Sequence, residues 1–352
     1  MGDQLLAGTP PSLQPLPGFK SLTTHHCCTG SLRHIYVFNG YPISEEMLLG
    51  LGSGIGFVYW HMKGTDPFYG GRANVGRGNE EGLEKTASQR TGVRAESFTT
   101  SSASKAEKAM LSLLDTGEPV YVYVDMGFLP YLNLPDDYHF GAHMIVVAGY
   151  DPASGQVLIS DRDAELHPIP LAGLEAARGS TYKPFPPQHK WFTFDFAGMR
   201  DPSPAEVRGA IRDVTNGMLK PPIANLGVKG IRTAVTRTRK WPETMDEEAL
   251  RWSCFNIFIF IDAIGGTGGG LFRYMYGRFL HEAADICDDK RLAKAGEELL
   301  VVGDMWQEVA GRFNEASKAT NPADMLVEAT EPMQSIAERE ESVWQKLAVL
   351  VD

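Results

Sequence analysis

Thr23-Thr24-His25-His26-Cys27-Cys28-Thr29-Gly30-Ser31-Leu32 sets two adjacent cysteines where a loop gives way to a helix. The apolar residues Leu32, Ile35 and Tyr36 follow at helical spacing, and Thr23 and Thr24 are candidate N-caps. A thiol in the first turn of a helix faces N–H groups that lack intrahelical acceptors, at the positive end of the helix dipole. Such a setting favours thiolate and can bring a cysteine pKa from about 8.5 down to about 3.5–7.5. Cys28, Leu32, Ile35 and Tyr36 share one apolar helix face, whereas Cys27 lies about 100° away, in line with Ser31 and His34. Cys27 is therefore the expected reactive thiol and Cys28 a small buried hydrophobe.

Outward from this helix, Gly40 and Pro42 should end it near Asn39, and Ser44 should cap a short helix through Leu51. Gly50-Leu51-Gly52-Ser53-Gly54-Ile55-Gly56-Phe57-Val58-Tyr59-Trp60 has the look of a phosphate loop. No Lys-Ser/Thr follows, however, and a strand comes next rather than a helix, so close backbone packing beside the active site is the expectation. A helix is expected over 80–90, a strand over 93–98 and a helix over 104–114. Pro119-Val120-Tyr121-Val122-Tyr123-Val124-Asp125 reads as a buried strand. Beyond a loop rich in Pro, Asn and Asp, the segments 143–151 and 156–161 form a hairpin around Asp151-Pro152-Ala153-Ser154-Gly155. One more strand is expected over 190–196. A helix followed by an antiparallel sheet makes this half α+β.

The register changes at Asp201-Pro202-Ser203-Pro204. Helices are expected over 204–219, 224–240, 246–263, 268–287, 290–317 and 323–350, with stripes such as Leu299, Val302, Trp306, Val309 and Phe313 at the period of packed helices. The expected organisation is a flexible lead-in over 1–20, a catalytic domain over 21–200 and a helical domain over 201–352.

The 352 residues carry 33 Lys and Arg against 44 Asp and Glu, a formal charge of −11, which argues against nonspecific binding to nucleic acid or an anionic membrane. Four cysteines, Cys27, Cys28, Cys254 and Cys287, are too few and scattered for a disulfide framework. The apolar run 254–261 is too short to span a bilayer, and the N-terminus lacks a signal pattern. The expectation is a cytoplasmic protein with reduced thiols.

Three residues are candidates for a nucleophilic triad: Cys27, His143 and Asp161. A cysteine at a helix start, a histidine opening a strand and an aspartate ending its hairpin partner is the layout of papain-like folds. His143 and Asp161 fall at the same end of the hairpin, so the carboxylate can hold one ring nitrogen while the other faces the thiol. A metal site at His25-His26-Cys27-Cys28 is disfavoured, because neighbouring residues cannot easily wrap one tetrahedral ion and no second ligand pair is present.

The segment His26-Cys27-Cys28-Thr29-Gly30-Ser31-Leu32-Arg33 resembles the opening motif of the butirosin-biosynthesis protein H family. So do Ser44-Glu45-Glu46-Met47-Leu48, Gly52 to Phe57, Gly71-Arg72, His143 with Gly149-Tyr150-Asp151, and Asp161. Ile264-Gly265-Gly266-Thr267-Gly268-Gly269-Gly270-Leu271-Phe272-Arg273 and Tyr276-Gly277-Arg278-Phe279-Leu280 resemble its accompanying helical domain. The resemblance spans about residues 20–315, with a doubled cysteine where the commoner pattern has one. It implies a papain-like cysteine acyltransferase of natural-product biosynthesis. Cys27 would accept the acyl group, His143 act as base and Asp161 orient it. The donor would be an acyl carrier protein or another thioester, reached through a phosphopantetheine arm with no resident cofactor, and the acceptor an amine-containing small molecule. Backbone N–H groups at Cys27 or Cys28, and the His26 side chain, are oxyanion candidates. Gly268, Gly269 and Arg273 are substrate candidates, in a helical half that would act as a lid over the substrate or pantetheine arm. The alternative for those glycines is a tight turn between helices. The other functional readings are a cysteine amidase or peptidase, and a non-catalytic binding protein that keeps the fold. The oligomeric state is open, a homodimer included.

Overall fold

The computed structural model describes residues 12–61, 65–76 and 81–351. In chain order they form α1 (Cys27–Phe38), α2 (Glu45–Leu51), β1 (Ile55–Trp60), β2 (Phe68–Arg72), α3 (Leu83–Arg90) and β3 (Arg94–Phe98). Next come α4 (Ala103–Asp115), β4 (Val120–Val124), β5 (His143–Asp151), β6 (Gln156–Ser160), β7 (Leu166–Pro170), α5 (Leu171–Gly179) and β8 (Trp191–Asp195). The remainder is helical: α6 (Pro204–Leu219), α7 (Gly227–Thr238), α8 (Glu247–Ile261), α9 (Arg273–Cys287), α10 (Lys290–Lys318), α11 (Pro322–Thr330) and α12 (Pro332–Val351). The α+β class expected from the sequence is the observed one. Among the described residues no helix is long and apolar enough to cross a membrane.

The contacts divide the chain into two units, and not at residue 200 alone. The first unit contains the described residues of 1–43 together with 94–196; the second contains those of 44–77 and 81–93 with everything from 197 onward. Thus α2, β1, β2 and α3 belong to the helical unit, not to a continuous catalytic domain over 21–200. The reason is steric: Gly50 lies so close to the Phe279 ring of α9 that a Cβ there would overlap it, and Gly54 is equally close to Leu83 of α3. The glycine-alternating stretch does serve close packing, but within the helical unit.

In the first unit six antiparallel strands run β3-β8-β4-β5-β6-β7. Val120, Val122, Val124, Ile145, Val147, Val157 and Ile159 meet Ala106, Met110 and Leu114 of α4 and Leu174 and Ala177 of α5 in one buried core. The alternate residues meet α1, since side chains on a strand point to opposite faces. Tyr121 donates its hydroxyl to Cys28 Sγ at 3.3 Å, and Ser31 Oγ donates to the Met144 carbonyl at 3.0 Å. Two elements were not expected here. β7 carries Pro168 and Pro170, which an edge strand tolerates because its outer N–H positions need no partner. α5 follows directly on it.

The expected flexible lead-in is corrected for residues 12–20. Leu13 and Phe19 are buried, the Leu16 amide donates to the Ala148 carbonyl at 2.7 Å, and Ser12 Oγ donates to Asp151 at 2.7 Å. Residues 1–11, and Glu80 at the start of the expected 80–90 helix, lie outside the described residues.

In the second unit β1 and β2 form an antiparallel pair, and β2, with two glycines in five residues, was also unexpected. The long α10 buries Leu299, Val302, Trp306, Val309 and Phe313, the stripe its sequence marks. One helix expected over 323–350 is two, because Pro332 has no N–H to continue α11 and instead starts α12.

Candidate active site

Cys27 is the first residue of α1. His26, not Thr23 or Thr24, is the N-cap; its backbone is extended and its side chain makes no cap bond, but its Nδ1 lies 3.2 Å from Thr29 Oγ1. The helix can begin so close under the preceding loop because residue 30 is glycine: a Cβ there would sit 2.3 Å from Thr24 Oγ1. Cys27 is partly exposed and its Sγ lies 3.8 Å from Met144 Sδ, whereas Cys28 is fully buried against Tyr121. The helical phase read from the sequence thus holds for both thiols.

His143 opens β5, and Asp161 directly follows β6, whose Ser160 pairs with Val146. That register brings the two side chains together. His143 Nε2 and Asp161 Oδ2 are 2.8 Å apart, and both side chains are 3% exposed. The Cys27 thiol is a hydrogen-bond partner of the same imidazole and adds to the rise in its pKa. With Nε2 taken by the carboxylate, Nδ1 is the nitrogen left for sulfur.

The electrostatics follow from this chain of contacts. Burial opposes charge on His143, but the Asp161 carboxylate and its hydrogen bond, with the Cys27 sulfur, overcome that and raise its pKa to about 10. Asp161 is also penalised by burial, yet His143, Arg162 and the Tyr131 hydroxyl together hold its pKa below the usual carboxylate value. The arrangement suits a thiolate–imidazolium pair steadied by a carboxylate.

Residues 26–162 match the family described as Butirosin biosynthesis protein H, N-terminal. This is the family whose motifs the sequence resembles. Residues 172–347 match a domain of unknown function, DUF4872. No curated protein matches the chain. The butirosin biosynthesis protein H match begins one residue before Cys27 and ends one residue after Asp161, so it encloses the whole Cys27–His143–Asp161 constellation.

The remaining sequence candidates belong to the second unit and have structural work there. Gly268 and Gly269 lie in the turn before α9, both with positive φ, and the turn is closed by Gly270, whose amide donates to Gln307 Oε1 of α10 at 2.8 Å. A Cβ on Gly270 would come 2.7 Å from Gly303 Cα, so this is the tight helix–helix turn, not a strip of backbone laid open for substrate. Arg273 is corrected too. It is fully buried, its Nε and Nη2 each donate at 2.9 Å to the two oxygens of Glu340, and its Nη1 donates to the carbonyls of Leu271 and Gly56. With four of its five N–H donors so occupied and the side chain fully buried, this guanidinium holds the helical unit together.

The sequence reading missed two groups in the first unit. Tyr131 donates its hydroxyl to Asp161 Oδ2 at 2.9 Å. Asp125 is fully buried and accepts from Ser180 Oγ at 2.6 Å, from the Gly127 and Phe140 amides, and pairs with His139 Nδ1 at 3.0 Å. It ties three loop segments together at the end of β4. Neither group has periodicity or a motif to betray it.

Proposed function

We propose that this chain is a cysteine-dependent acyltransferase of natural-product biosynthesis, taking an acyl group from a thioester onto Cys27 and passing it to an amine. The observation that supports this reading is that one imidazole, His143, has both the Asp161 carboxylate, at 2.8 Å from its Nε2, and the Cys27 thiol as partners. A non-catalytic protein keeping the fold would have no need to hold these three together.

The chemistry balances on those groups. Cys27 thiolate attacks the thioester carbonyl, and the donor's C–S bond breaks. The departing thiolate takes the proton from His143, leaving a neutral imidazole beside an acyl-enzyme. An amine then attacks the acyl carbon while Nδ1 accepts its proton. The Cys27–acyl bond breaks and the thiolate–imidazolium pair is restored. Asp161 keeps its charge throughout and fixes the ring. Backbone N–H groups in the first turn of α1 would stabilise the oxyanion in this reading, since Cys27 is itself the first helical residue. A phosphopantetheine-borne thioester on an acyl carrier protein is the donor this reading favours, and an amine-bearing small molecule the acceptor.

Incubation with an acylated carrier protein, followed by intact mass measurement, tests the proposal. Wild type and Cys28→Ala should gain the acyl mass, and Cys27→Ala should not. Acyl label that persists in Cys27→Ala and vanishes in Cys28→Ala would move the nucleophile by one residue; none in wild type would refute acyl transfer. Discharge to water as fast as to added amines would make the enzyme a hydrolase.

A further inference from the structure

Tyr131 lies in a short turn, Pro130–Leu132, and reaches the carboxylate that holds His143. Asp161 receives both of its side-chain hydrogen bonds on one oxygen: His143 Nε2 at 2.8 Å and Tyr131 Oη at 2.9 Å meet Oδ2, while Oδ1 is buried with no hydrogen-bond partner. The phenol and the imidazole therefore share one acceptor. The Tyr131 ring is fixed independently, lying flat on His167 of β7 at 4.1 Å and 13°, and His167 Nε2 is in turn 3.0 Å from both oxygens of Asp163. Its hydroxyl is held to Asp161 from one side and its face from the other.

We infer that Tyr131 is a positioning residue for the Cys27–His143 pair, acting by donating its hydroxyl to the same Asp161 oxygen that accepts from the imidazole. This rests on the reading of Cys27 and His143 as the reacting groups. A donated O–H fixes the carboxylate's rotamer and draws off part of its charge. It thereby moderates the pull of Asp161 on the imidazolium proton. That moderation matters for acyl transfer, since His143 must be cationic to release the donor thiol and neutral to accept a proton from the amine. The phenol can play this part over the whole working range, because burial and then the Asp161 charge keep it protonated well beyond the usual phenol pKa. The charged or titratable groups acting on this chain are Asp161, Asp163 and Arg162 at the phenol, Cys27 at the imidazole, and His167 beneath the ring.

The test is the pH profile of Cys27 alkylation by iodoacetate, an anion that the imidazolium attracts, so the upper inflection reports loss of the His143 proton. Tyr131→Phe keeps the ring stacked and deletes only the hydroxyl. The expected result is an upward shift of that inflection by roughly half to one unit, with a several-fold slower discharge of acyl-enzyme to amine. Fluorotyrosine at position 131 is isosteric, folds as tyrosine does and is a stronger donor; it should move the inflection the other way. Opposite shifts support the inference. Profiles that superimpose on wild type for the fluorotyrosine protein, or for a folded Tyr131→Phe, overturn it and leave Tyr131 as packing. Alkylation needs no acyl donor, so these outcomes stand apart from the acyl-enzyme assay. A protein that takes no acyl group can still show the shift, and one that does can fail to.

Discussion

At the scale of the residue, the charge on His143 is created by its neighbours. An isolated imidazole loses its proton near pH 6.5; here burial resists the charge, and Asp161 and Cys27 prevail, so the proton stays until about pH 10. Asp161→Asn should keep a hydrogen bond to the ring while removing the charge. The expected outcome is an iodoacetate profile whose upper inflection falls by more than a unit, and a loss of acyl-enzyme formation at pH 7 of roughly tenfold or more, in line with removing a group that orients a functional histidine. An unchanged inflection would mean that the carboxylate only packs. The same pairing bears on stability. A folded-state pKa above the unfolded value stabilises the fold fully below about pH 6.5 and less as pH rises through about 10. His143→Gln should therefore narrow the difference in stability between pH 6 and pH 10, measured by urea unfolding.

At the scale of the element, what was legible depended on local pattern. The phase of α1 separated Cys27 from Cys28, and the alternation of Val120–Val124 and the turn at 151–155 gave β4 and the β5–β6 hairpin, which is why His143 and Asp161 could be paired from sequence. β7 was hidden by Pro168 and Pro170, β2 by its glycines, and Tyr131 by a loop, thirty positions away from the carboxylate it touches. Arg273, a substrate candidate in the sequence, has its partner 67 residues downstream, where no local pattern reveals it. Glu340 of α12 is fully buried, accepts both Arg273 bonds, and also accepts from the indoles of Trp306 at 2.9 Å and Trp344 at 3.0 Å. Breaking such a pair leaves a buried cation and two indole donors unsatisfied, which costs about 3–5 kcal/mol. Glu340→Leu should lower the unfolding free energy by that amount in urea titrations, and the double substitution with Arg273→Met should recover much of it. A single substitution costing under about 1 kcal/mol would show that the pair is dispensable.

At the scale of the whole molecule, acid should unfold this protein for a local reason. The net charge of −11 at neutral pH falls to zero near pH 5.4, so self-repulsion is least in mildly acidic solution and cannot drive unfolding there. His34 can. It sits in α1 with its Nε2 2.9 Å from the Leu22 amide and 3.2 Å from the Leu22 carbonyl, and its Nδ1 is buried with no hydrogen-bond partner. Burial is the main reason its pKa drops to about 4. Between pH 6.5 and 4 the unfolded chain binds a proton at this position that the folded chain refuses, so stability falls with pH across that window by about 3 kcal/mol. Asp161, whose folded pKa is lowered, behaves differently: its contribution is intact above the ordinary carboxylate pKa and is lost only in stronger acid. His34→Gln keeps an acceptor for the Leu22 amide and removes the titration. The variant's unfolding free energy should fall less steeply from pH 6.5 to 4.5 than that of wild type, and its acid midpoint should lie lower. Parallel slopes for the two proteins would place the acid sensitivity elsewhere in the chain.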